Sequence, residues 1–180
     1  DDKTLLLTHA DDAGELRSVY IEKKIIDTGR VAKTLSVNGN TKHSTTQPKI
    51  GSSAIYFDGS GDYIDITSDD FNVGTGDFTF EYWVRHDSLY NYITHISTPR
   101  SSTGFNAGSN AAGGGVWYVA SLVINAASVY STNTWYHIAY VRESGTLTLY
   151  VDGVSKGSSA DNTSYSQTTF TIGHRSGEPF

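Results

Sequence analysis

The stretch Trp135-Tyr136-His137-Ile138-Ala139-Tyr140-Val141-Arg142, then Glu143-Ser144-Gly145, then Thr146-Leu147-Thr148-Leu149-Tyr150-Val151-Asp152 decides the fold class. Aromatic and β-branched residues alternate with others at a period of two on both sides of a Gly-containing turn, which is the pattern of an antiparallel hairpin. With Arg142 set opposite Thr146, the face Trp135, His137, Ala139, Val141, Leu147, Leu149 and Val151 is expected in the core. The face bearing Tyr136, Tyr140 and Tyr150 is then expected outside, and His137 is expected to be a satisfied core histidine.

The same period runs upstream. Phe78, Phe80, Tyr82 and Val84 share one face of a central strand, and Thr79, Glu81, Trp83 and Arg85 share the other. Asn38-Gly39 between Thr34–Val37 and Thr41–Ser44 predicts a hairpin, because Asn-Gly accepts the positive φ of a tight turn. Asp58-Gly59-Ser60-Gly61-Asp62 between Ala54–Phe57 and Tyr63–Ile66 predicts a second. Further strands are expected at Leu5–Leu7, Tyr92–Ile96, Gly115–Ala120, Leu122–Asn125 and Phe170–Ile172. Pro99 to Gly114 is expected as a loop, with Gly113-Gly114-Gly115 as its flexible tip. Residues 15–26 fit a short helix about as well as strands.

A chain of 180 residues with 18 Gly and 12 Tyr fits one all-β domain, 1–180. The net charge of −6 and the absence of any Lys/Arg run exclude a nucleic-acid partner. No apolar run reaches the roughly 20 residues of a membrane helix, so no membrane insertion is expected. Zero cysteines exclude disulfides and thiolate metal sites, and zero methionines mark Asp1 as something other than a translational start.

Four runs in fixed order carry a family resemblance: Tyr56-Phe57-Asp58-Gly59-Ser60-Gly61-Asp62-Tyr63, Gly76-Asp77-Phe78-Thr79-Phe80-Glu81-Tyr82-Trp83, the hairpin quoted above with Gly153, and Phe170-Thr171-Ile172-Gly173. Together they resemble the laminin-G-like/concanavalin-A-like jelly-roll superfamily of lectins and glucanases. The resemblance implies an all-β, two-sheet antiparallel jelly-roll sandwich. It implies a non-catalytic glycan-binding or adhesion module, extracellular or on a virion surface such as a phage fibre or capsid. A purely structural decoration domain contacting neighbouring virion or cell-surface subunits is the alternative role. Segment 1–55 matches less well, with 15–26 as an insertion. Relatives continue past the Ile-Gly strand, so a missing terminal strand, an unpartnered Leu5–Leu7 strand and a larger chain or oligomer are expected.

The candidate chemistry is aromatic. Sugars present C–H faces to Trp and Tyr rings while amides and carboxylates take their hydroxyls. Tyr90, Tyr92, Asn106, Trp117 and Tyr118 lie on or beside the long loop, and Tyr136, Tyr140 and Tyr150 lie on the expected outer hairpin face. These eight are the candidate ligand-binding residues. The Glu-x-Asp-x-x-Glu pattern of glucanases of this fold is absent, and none of Glu15, Glu22, Glu81, Glu143 or Glu178 has an acid two positions on, so no catalytic residue is assigned. Glu81 beside Trp83 reads as a structural or hydroxyl-binding carboxylate. No metal ligand and no cofactor is assigned: Asp58, Asp62 and Asp65 read as turn formers rather than a calcium cluster. The resemblance would place an acidic calcium ligand ahead of Gly104, where this chain has Ser101-Ser102-Thr103.

Overall fold

A computed structural model describes residues 4–6, 33–90, 92–99, 101, 103–119 and 121–174. The expected helix or insertion at 15–26 lies outside these residues. The described strands open with β1 (Thr4–Leu6), β2 (Leu35–Asn38), β3 (Lys42–Ser44), β4 (Ala54–Tyr56) and β5 (Tyr63–Thr67). They continue with β6 (Phe78–Arg85), β7 (Ile93–Ser97), β8 (Asn106–Ser109), β9 (Gly115–Val119) and β10 (Ser121–Ala126). The last four are β11 (Trp135–Glu143), β12 (Thr146–Val151), β13 (Val154–Ala160) and β14 (Thr169–Ile172). A five-stranded sheet in the order β1-β6-β11-β12-β13 packs on a seven-stranded sheet in the order β10-β9-β8-β7-β14-β5-β2, and β3-β4 form a small separate hairpin. The architecture is the expected jelly-roll sandwich, antiparallel throughout the described pairs except for β1, which runs parallel to β6. The first strand thus has β6 as a partner on one side and stands at the edge of its sheet among the described residues.

Both local hairpin expectations around Gly39 and Asp58–Asp62 are overturned. β2 pairs with β5 and β3 with β4, so each turn passes the chain between sheets instead of closing one. The cause is the buried Asp62 carboxylate, which accepts the amides of Asn40 (2.7 Å) and Asp58 (2.8 Å) and knots the two turns together. Gly39 has φ +68°, and a Cβ there would stand 2.3 Å from Asp62 Oδ1. Asp58 in turn accepts the amide of Ser60 at 2.7 Å, and that bond is the main reason its carboxyl is held below the usual range. The acidic cluster is thus engaged by backbone donors.

The hairpin that decides the fold closes one residue more tightly than expected. Ser144 (φ 48°) and Gly145 (φ 74°) form a two-residue turn with positive φ at both positions, which pairs Glu143 with Thr146 and Arg142 with Leu147. A one-residue change of register exchanges the faces of β11. Ile138, Tyr140 and Arg142 therefore face inward with Leu147, Leu149 and Val151, while Trp135, His137, Ala139 and Val141 face outward. His137 is not a core histidine.

Inward-facing aromatics join the sheets. Phe105 stacks on Trp117 (4.2 Å, 10°), Trp117 meets Tyr140 at 4.9 Å, and Phe71 meets Phe170 at 4.2 Å. Arg142 is buried among them, between the rings of Phe78 (4.7 Å) and Tyr165 (4.9 Å). Its guanidinium donates to the carbonyls of Gly74 (2.8 Å), Gly76 (2.9 Å) and Thr163 (2.7 Å), with Asp161 3.7 Å away. One cation thereby ties two loops to the sheet at the cost of its own hydration.

The Pro99–Gly114 segment is not one loop. It contains β8, a buried strand of small residues, where a Cβ on Gly108 would lie 1.9 Å from the Ile93 carbonyl. Nor is the triple glycine a loose tip: the Gly113 carbonyl accepts the amides of Val129 and Tyr130, both at 2.7 Å, and a Cβ on Gly115 would strike Leu149. Between Thr94 and Ile96, β7 bulges against β8, which turns His95 inward beside Ile96. His95 Nδ1 lies 2.9 Å from the Tyr82 hydroxyl, and its Nε2 lies 2.8 Å from Nε2 of buried His86. One neutral N–H satisfies that contact, whereas two imidazoliums would oppose two donors.

Two measurements follow. Arg142→Met leaves three carbonyls and Asp161 without their donor and is expected to cost on the order of 3–5 kcal/mol, read as a melting temperature lower by roughly 10 °C. For the histidines, burial lowers His86 to about 4 and lowers His95 well below its ordinary 6.5. The unfolded chain then binds more protons than the folded one between those values, so stability is expected to fall as pH drops from about 6.5 toward 4. His86→Gln with His95→Gln should flatten that slope in denaturant titrations; an unchanged slope would assign it to the carboxylates.

Candidate functional site

Alternation places a second set of residues on the outer face of the seven-stranded sheet. Cross-strand register lines up Ser36 (β2), Asp65 (β5), Thr171 (β14), Ser97 (β7), Asn106 (β8) and Tyr118 (β9) in one row. Within it Thr171 donates to Asp65 at 2.6 Å and Ser97 donates to the His174 carbonyl at 2.8 Å. Asn106 is buried, and its side-chain oxygen has no hydrogen-bond partner. At one end of the row Tyr92 brings its ring 6.1 Å from that of Tyr118, at 68°. Tyr92 is 64% exposed and holds φ 61°, a backbone setting that a bulky L-residue adopts only under strain. Tyr90, two residues earlier, is 69% exposed.

Three of the eight candidate residues, Tyr92, Asn106 and Tyr118, therefore meet at this edge, with Tyr90 beside them in sequence. The other four do not join them. Trp117 points the opposite way from Tyr118 into the core, donating from Nε1 to the Tyr165 hydroxyl at 3.2 Å. Tyr140 is core as well, because of the β11 register; its hydroxyl donates to the Val116 carbonyl at 2.9 Å, and burial raises its pKa. These two are withdrawn from contact with any surface ligand. Tyr136 is half-buried, accepts the Ser131 amide at 3.1 Å and packs edge-on against Tyr130 at 5.6 Å. Tyr150 lies on the outer face of the five-stranded sheet, opposite Ala139.

That outer face holds residues which sequence reasoning missed. Trp135 and His137 join Glu81, Trp83 and Tyr150 there. His137 Nε2 is 3.6 Å from Glu81 Oε2, its ring is 5.2 Å from Trp83, and Lys49 places its ammonium 4.3 Å from the Trp83 ring centre. The signal that finds Trp135 and His137 is the Ser-Gly pair at 144–145, read as a complete turn. The cross-strand neighbours of Glu81 are Leu6 and Ala139, so no carboxylate stands across from it. Among the described residues no group of three or more His, Asp or Glu is placed to hold a metal ion. No described helix is long and apolar enough to cross a membrane.

Domain 4 of AbnA, a GH43 extracellular arabinanase from Geobacillus stearothermophilus solved with arabinotriose, superposes with a TM-score of 0.59 at 18% identity, covering 82% of this chain and 76% of that one. The receptor-binding domain of botulinum neurotoxin type G superposes with a TM-score of 0.65 at 19% identity, over 85% of this chain and 41% of that one. A type C botulinum neurotoxin structure, whose cell entry depends on two ganglioside molecules, gives a TM-score of 0.62 at 16% identity, over 84% and 40%. The chain thus spans about two fifths of the toxin chains. No curated protein matches it. The model of the concanavalin A-like lectin/glucanases superfamily matches residues 58–180, and the chain belongs to that superfamily.

Proposed function

We propose that this domain is a non-catalytic glycan-binding module, with its binding surface on the outer face of the seven-stranded sheet at Tyr92, Tyr118 and Asn106. The observation that carries the reading is Tyr92, an exposed aromatic held in a strained backbone conformation against a second tyrosine. Strain of this kind costs on the order of 1–3 kcal/mol and concentrates at functional sites. The ring pair offers a stacking surface, the Asn106 amide oxygen accepts a hydroxyl, and Asp65, Thr171 and Ser97 continue the polar row across the sheet. The arabinotriose on the AbnA domain lends support from a protein of the same fold. The setting we propose is extracellular, in a secreted bacterial or virion surface protein, with the module forming part of a longer chain or an oligomer. Glu81, without a carboxylate across from it, supports binding over hydrolysis.

A glycan array read with the intact domain, followed by calorimetry on the hits, tests this. Tyr92→Ala and Tyr118→Ala are each expected to weaken binding about tenfold or more, equivalent to roughly 1.4 kcal/mol. Tyr136→Phe, on the inward-facing side of the five-stranded sheet, should leave affinity unchanged. Binding to no saccharide, or wild-type affinity retained in both alanine variants, would remove the proposal.

A further inference from the structure

The three tryptophans are divided between the interior and one surface. Trp117 is core, while Trp83 and Trp135, both half-buried, face outward from the five-stranded sheet. Because Trp135 pairs with Arg85 and His137 with Trp83, the two indoles are diagonal neighbours on adjacent strands, about 7–8 Å apart at the backbone. Trp135 makes no ring contact or side-chain hydrogen bond among the described residues. Lys49 covers the Trp83 ring, from the turn that joins β3 to β4. Beside them lie Glu81 and His137, with side chains 28% and 30% exposed, and Tyr150 one strand further on.

We propose that this face is a second saccharide site, separated from the first by the whole core and taking a neutral oligosaccharide chain across Trp135. The indole offers its π-face to the C–H side of a sugar ring. Glu81 accepts hydroxyls of the neighbouring ring, and His137, whose backbone amide donates to the Asp152 carboxylate (2.9 Å), sets its imidazole 3.6 Å from the Glu81 carboxylate beside Trp83. A sugar matches this composition better than a protein partner does. An apolar partner would bury Glu81 and His137 without replacing their hydration, whereas hydroxyls pair with both. Two sites on opposite faces would let one module bridge two chains of a polysaccharide, with the gain in avidity that linkage brings.

The tryptophan distribution makes the test selective, since Trp83 and Trp135 report on this face and Trp117 on the core. The intact domain is labelled with 5-fluorotryptophan, its three ¹⁹F resonances are assigned by Trp→Phe variants, and arabinotriose, maltotriose, cellotriose, xylotriose and chitotriose are titrated in turn. The Trp135 and Trp83 resonances are expected to move saturably with at least one trisaccharide while Trp117 stays fixed. Glu81→Gln and Trp135→Ala should each weaken that response about tenfold, with the Trp117 resonance unmoved as the internal check on folding. No response to any of the five overturns the proposal. So does a response that Tyr92→Ala abolishes as fully as Trp135→Ala does, because a single site would then account for both. A dimer seen by light scattering and dissolved by Trp135→Ala would assign the face to a second copy of the chain instead.

Discussion

Ser144 and Gly145 take left-handed backbone angles in succession, and the turn they form holds β11 and β12 in a register that the rest of the five-stranded sheet inherits. The Ser144 amide donates to Asp77 at 2.9 Å and the Gly145 carbonyl accepts the Asp161 amide at 2.8 Å, so the turn is anchored from both sides. Its consequence inside the molecule is Arg142. Only in this register does the guanidinium lie between Phe78 and Tyr165, where carbonyls of two loops are waiting for donors. A slip by one residue would put that cation in solvent and Val141 among unpaired carbonyls, which burial makes costly.

The same register divides the aromatic residues between packing and recognition. Tyr140 goes to the core, where it meets Trp117 and bonds the Val116 carbonyl, joining the two sheets through one side chain. Trp135 and His137 go to the surface beside Trp83 and Glu81. On the opposite sheet, alternation along β9 does the equivalent work by sending Trp117 inward and Tyr118 outward. Function is thus proposed on the two outer faces because the core is already supplied with rings.

Much of this was legible in the chain. The period-two alternation of β6 put Phe78, Phe80 and Tyr82 on one face and Glu81 and Trp83 on the other, and the structure turns the first set inward. The ordered runs from Tyr56 to Gly173 pointed to the superfamily. What was not legible depended on contacts distant in sequence or on weak local preference. Asn38-Gly39 carries a hairpin signal, yet Asp62, buried and 22 residues beyond Asn40, diverts the chain to another sheet. Asn106-Ala107-Gly108-Ser109 has no strand preference and forms a strand only because its small side chains fit against Ile93 and the core. Serine in a left-handed turn position is uncommon, so Glu143 was counted into the turn and the candidate Tyr140 was assigned to the wrong face. The Tyr92–Tyr118–Asn106 grouping was half visible: the residues were named, but their convergence needed the pairing of β8 with β9.

The register of β11 against β12 is the claim on which the core cation and the outer tryptophans both depend. Cross-strand Hα–Hα NOEs in the intact domain measure it directly. Contacts pairing Arg142 with Leu147 and Tyr140 with Leu149 are expected. Contacts pairing Val141 with Leu147 instead would contradict it, returning Trp135 and His137 to the core and Tyr140 to the surface.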